Sequence, residues 1–98
     1  MPEMTFDVRW PDGTTASCYS PSLVMHDHLQ TGATYTVSEF VARSTTALGE
    51  AAERVKAKFG FYCTSAAETT SQITAAAANF PPHAEVTVVS MHPPLVTS

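Results

Sequence analysis

The chain reads as a small α+β domain. It should hold a mostly antiparallel three-stranded sheet, made of an N-terminal hairpin and one C-terminal strand, with two to three helices packed on one face. Three observations carry this. "MTFDVRW" and "TTASCY" flank the turn "PDG"; a long run, residues 39–59, repeats its apolar residues at helical spacing; and a Val-rich run, "AEVTVVSM", follows a second helical segment.

The hairpin comes first. In "MTFDVRW" the residues Met4, Phe6, Val8 and Trp10 alternate with Thr5, Asp7 and Arg9, the period of a strand with one buried face. Pro11 sets φ, Asp12 bonds its local backbone and Gly13 supplies a positive φ, so the turn belongs at residues 11–13. Ala16 and Cys18 then face one way, and Thr15, Ser17 and Tyr19 the other. Ser20 stands where an N-cap belongs and Pro21 at a first helical position, which predicts a short helix in "PSLVMHDHLQ" stopping at Gly32. A third strand or an irregular connection is the alternative for residues 21–30.

"ATYTV" reads as an extended link, and Ser38 as the cap of the long helix. Phe40, Ala47, Leu48, Ala51, Val55 and Phe59 form its stripe, Glu50 and Arg54 an i,i+4 pair, and Gly60 its stop. Thr64 or Ser65 should cap the next helix, with Glu68 in the capping-box position and a stripe of Ala66, Thr70, Ile73, Ala77 and Phe80. Pro81 and Pro82 end it. Residues 1–91 make one domain and 92–98 a loose tail. A sheet with one wet face and open edges suits a homodimer, joined through the last strand or the Ala-rich helix around residues 75–78.

Composition narrows the function classes. The 98 residues carry a net charge of −4 with only five Lys and Arg, and the cluster Arg54, Lys56, Lys58 is flanked by Glu50 and Glu53, which argues against nucleic acid. No apolar run nears the ~20 residues of a membrane helix, and the N-terminus has no signal-peptide pattern, so the expected location is cytoplasmic. No P-loop, dinucleotide fingerprint, HExxH or G-x-S-x-G is present, and no catalytic residue, metal site or cofactor is assigned.

Two features invite a functional reading. Cys18 and Cys63, 45 apart, each precede an expected helix start, where backbone N–H groups stabilise a thiolate; buried free thiols are the plain alternative. His26-Asp27-His28 looks like a ligand cluster, but on a helix i and i+2 diverge, and zinc needs further ligands. Ser20 is best explained as a cap, and Trp10 and Tyr19 as core and rim.

The combination "RWPDG…CYSPS", followed by "Y…FVARS" and the pattern to Cys63, resembles a small bacterial family, the nitrogen starvation response proteins. Their genes lie in clusters with a nitrilase and other biosynthetic enzymes. Arg9, Trp10, Pro11, Asp12, Gly13, Cys18, Tyr19, Ser20, Pro21, Arg43, Arg54, Gly60 and Cys63 carry the resemblance. It implies a cytosolic bacterial protein of nitrogen metabolism or a specialised biosynthesis, and brings no catalytic residues with it. The expected function is a non-enzymatic accessory protein that binds an enzyme of its cluster or an intermediate. The alternative is a thiol-dependent redox, metal-binding or intermediate-carrying protein using Cys18 and Cys63. Candidate functional residues are Cys18, Cys63, Tyr19, Ser20, Arg9 and Trp10.

Overall fold

The computed structural model describes residues 3–60 and 64–92. The elements run β1 (Met4–Arg9), β2 (Thr15–Ser20), α1 (Met25–His28), β3 (Thr34–Thr36), α2 (Val37–Phe59), α3 (Thr64–Ala77) and β4 (Glu85–His92). The four strands form one antiparallel sheet in the order β2-β1-β4-β3. The class is α+β as expected, with four strands rather than three. The added strand is "TYT" of the expected extended link: Thr34 pairs with Thr87, Tyr35 with Val86 and Thr36 with Glu85.

The hairpin forms around Gly13 at φ 88, with Gly13 N–H donating to the Trp10 carbonyl at 2.9 Å and Trp10 N–H to the Thr14 carbonyl at 2.8 Å. Asp12 Oδ1 accepts from both the amide and the hydroxyl of Thr14, at 3.0 and 2.6 Å.

Met4, Phe6 and Val8 of β1, Cys18 and Ser20 of β2, and Val86, Val88 and Met91 of β4 are buried on the helix side. Strict alternation along β4 would put Ser90 there and Met91 outside. A bulge in the β1–β4 register prevents this: Val8 pairs with Val88 but Asp7 with Ser90, so Val89 is the extra residue. Met91 thereby packs in the core and Val89 is left 43% exposed.

α2 buries Phe40, Ala47, Leu48, Ala51 and Val55, as its stripe requires, and also Ser44. Its cap is Thr36 rather than Ser38: the Thr36 hydroxyl accepts from Glu39 N–H at 3.1 Å, and the helix starts one residue before Ser38. Gly60 closes it in the left-handed conformation at φ 82, its N–H donating to the Lys56 carbonyl. Glu50 turns to His28 and Arg54 to Ser22, in place of the expected Glu50–Arg54 pair. α3 buries Ala66, Thr69 and Ile73, and Thr64 and Ser65 lie within it rather than capping it. Trp10 closes one end of the core, edge-on to Phe40 at 5.6 Å and stacked on Phe80 at 5.7 Å.

The expected helix over residues 21–30 shrinks to the single turn α1, and Ser20 does not cap it. Ser20 ends β2, and its buried hydroxyl serves a local turn, donating to the Ser22 carbonyl at 2.8 Å and accepting from Ser22 N–H at 3.3 Å. Ser22 Oγ in turn accepts from Val24 N–H. β4 reaches His92, one residue past the end expected for the strand; the tail beyond it lies outside the described residues. β4 sits between β1 and β3, and its outer side is bonded over Glu85–Val88 by β3 and the residues just before it.

Candidate functional site

The residues singled out in the sequence do not converge. β1 and β2 sort them onto the two faces of the sheet. Cys18 and Ser20 lie on the helix side, paired with Phe6 and Met4. Trp10 is buried between two aromatic rings. Arg9 and Tyr19 lie on the opposite, uncovered face, where the Tyr19 hydroxyl donates to Glu3 Oε2 at 2.8 Å. Cys63 lies outside the described residues, and with it the question of whether the two cysteines meet.

Cys18 is only 2% exposed. Burial, and secondarily the negative charge of Asp7, push its thiol up to about 12, so it stays protonated at neutral pH. Gln72 of α3 lies against it, with Nε2 3.8 Å from Sγ and 3.3 Å from the Ser17 carbonyl. The helix start expected beside Cys18 is absent, because the segment after β2 is a turn.

Two other places concentrate polar chemistry. The first is a cleft of about 300 Å³ between α1, the start of β3 and α2, lined by His26, Asp27, His28, Gln30, Tyr35 and Arg43 among others. Arg43 organises it. Its Nε and Nη2 both donate to Glu39 Oε1, at 3.0 and 2.8 Å, and its Nη1 donates to the His28 carbonyl at 3.1 Å. The guanidinium lies 5.0 Å from the centre of the Tyr35 ring, in cation–π contact. The Tyr35 hydroxyl accepts from Gln30 N–H at 3.1 Å. His28 Nε2 stands 3.0 Å from Glu50 Oε2. A single turn of helix is too short to hold itself, and these side chains fasten it to α2. Bonding of this kind leaves hydrogens over: a guanidinium has five N–H groups and three are used, and the Tyr35 O–H has a hydrogen left to donate.

The second is the uncovered face of the sheet. Four rows of side chains cross it: Tyr19, Thr5 and His92; Ser17, Asp7 and Ser90; Thr15, Arg9, Thr87 and Thr34; and Glu85 with Thr36. Asp7 is central. Ser90 Oγ donates to its Oδ2 at 2.8 Å, Ser17 also donates to it, and His92 Nε2 stands 3.9 Å away. The Ser90 and Ser17 hydrogen bonds hold its carboxyl below the usual value, against a small opposing effect of burial. Sequence reasoning missed this grouping because Asp7 and Ser90 are 83 residues apart and the bulge sets which face Ser90 takes.

Among the described residues no group of three or more His, Cys, Asp or Glu could hold a metal ion, and no helix is long and apolar enough to cross a membrane. His26 and His28 both line the cleft. Of the family models compared with the chain, that described as nitrogen starvation-induced protein NitG matches residues 5–91. No curated protein and no solved structure matches.

Proposed function

Since the chain belongs to the family of the nitrogen starvation-induced protein NitG, we propose that it is a non-enzymatic accessory protein of the nitrogen-starvation response, which binds a small polar intermediate or the enzyme that handles it and works as a homodimer. The Arg43 cleft carries this reading. It is concave, its walls come from three elements, and it presents donors that the internal hydrogen bonds leave unused. Arg43 is held from several sides, so a ligand meets a preorganised donor instead of ordering a flexible one. Cys18, sealed and protonated, supports the binding reading better than the thiol one.

The experiment is affinity capture from nitrogen-starved cells with the tagged protein, followed by mass spectrometry of retained proteins and metabolites. Arg43→Ala and Tyr35→Phe run in parallel. Wild-type protein should retain a specific species that at least one variant loses. Retention of nothing above background, or equal retention by all three proteins, would sink the proposal. Circular dichroism of the variants shows that they remain folded.

A further inference from the structure

The uncovered sheet face carries a charge pattern that matches itself. Asp7 and Arg9 stand two residues apart on β1, in the middle of the sheet, on the same face. Asp7 is fixed in place by Ser17 and Ser90, while Arg9 is exposed and in no ion pair among the described residues. Around them the face is hydroxyl-rich, with Thr5, Thr15, Ser17, Thr34, Thr87 and Ser90, and its further charged or titratable groups on β4 are Glu85 at one end and His92 at the other, positions that the operation below lays over one another.

The sheet edges are poorly suited to pairing. β2's edge has the Ser17 carbonyl already taken by Gln72 Nε2. β3, the other edge, is three residues long. β4 is interior. Short or blocked edges are how proteins prevent strand addition.

We infer that two copies of this chain pack through their uncovered sheet faces, β1 crossing over β1 in opposite directions, with Asp7 of each copy against Arg9 of the other. A two-fold axis lying between the faces, perpendicular to β1 and passing over Val8, exchanges positions 7 and 9. The same operation lays the Ser17–Asp7–Ser90 row over the Thr15–Arg9–Thr87 row, so hydroxyls meet hydroxyls. The alternative axis, along β1, would stack Asp7 on Asp7 and is disfavoured. An isologous contact needs self-complementarity of this kind. The exposed Val89, on the central strand β4, adds apolar area. From strand spacing and rise, the footprint is on the order of 400 Å² per copy. That is about 800 Å² in total, below the standard size of stable specific interfaces and in the range of weak, transient ones, so the dimer is concentration-dependent and weak.

This inference rests on the homodimer part of the functional reading and leaves the Arg43 cleft free. Sedimentation velocity tests it, on wild type, Asp7→Lys, Arg9→Glu and an equimolar mixture of the two variants. Wild type should dimerise in the micromolar range. Each variant alone should dimerise at least ~10-fold more weakly, since close like charges across an interface are costly. The mixture should regain dimer, because Lys at position 7 then meets Glu at position 9 while the native Arg9 and Asp7 meet on the other side. A wild type that stays monomeric to near-millimolar concentration overturns the inference, as does a dimer indifferent to both substitutions or a mixture that regains nothing. Circular dichroism confirms that each variant is folded. Capture by the Arg43 cleft is read separately and should be unchanged in Asp7→Lys and Arg9→Glu, so failure there counts against the binding reading and not against this interface.

Discussion

Two buried side chains set contrasting expectations. Ser44 is fully buried within the apolar stripe of α2, and its hydroxyl finds no hydrogen-bond partner among the described residues. A buried unpaired hydroxyl costs ~1–3 kcal/mol, and alanine is also the better helix former. Ser44→Ala should therefore raise stability by about 1 kcal/mol, seen as a rise of ~4–8 °C in melting temperature. Cys18 acts through pH. Its folded thiol is raised from 9.0 to about 12 by burial. Between those values the unfolded chain has lost the proton that the folded chain keeps, so stability falls as pH rises above about 9. Cys18→Ala should lose less stability between pH 8 and 11 than wild type, measured by urea denaturation at each pH. Cys18 stands out in the sequence, but its sealing depends on the segment after β2. Ser20 and Pro21 make that segment look like a helix start, and the hydroxyls of Ser20 and Ser22 make it a turn.

At the scale of elements, signals local in sequence were legible and signals set by partners were not. The hairpin and Gly60 follow from backbone preferences that act over three or four residues, and both are where the sequence puts them. The cap of α2 shows a competition between two candidates. Ser38 looks suitable, but Thr36 stands three before Glu39, the capping-box spacing, and its extended backbone at ψ 155 lets the hydroxyl reach Glu39 N–H. Thr36→Ala should cost ~1 kcal/mol, within the ~0.5–2 range for such caps, by chemical denaturation, whereas Ser38→Ala should change stability by no more than ~0.5 kcal/mol. Three-residue β3 was invisible because it exists only by pairing with β4, and α1 is short because Ser20 and Ser22 commit their hydroxyls to a turn. Arg43 stands out in the sequence only as part of a family pattern, and Arg54 also as the expected partner of Glu50 and a member of the one basic cluster. In the fold they reach across to the His28 carbonyl and Ser22 Oγ, fastening the β2–β3 connection to α2.

For the whole molecule, the central pair of the sheet joins the first strand to the last. Phe6 meets Met91 and Val8 meets Val88 across it. The apolar sides of the elements were legible, yet the strand order was not, since alternation says which face a residue takes and not which strand lies beside it. The amides of β1 and β4 that bond across this central pair should be the slowest in the molecule to exchange, opening only with global unfolding, whereas those of the single turn α1 should exchange far sooner. Hydrogen exchange followed by NMR checks the ranking; protection of α1 equal to that of β1 would contradict it.

The place of β4 also orders events during synthesis. The hairpin leaves the ribosome first, but β1 keeps its inner edge unpaired until His92 has been made, 72 residues after the hairpin's last residue, Ser20. At ~5–20 residues per second this is an interval of ~4–14 s. Throughout it the nascent chain carries a half-built sheet in which Phe6 and Val8 lack their neighbours Met91 and Val88, a substrate for chaperones. A chain cut short anywhere before Glu85 lacks the strand that joins β1 to β3, and has no route to the sheet.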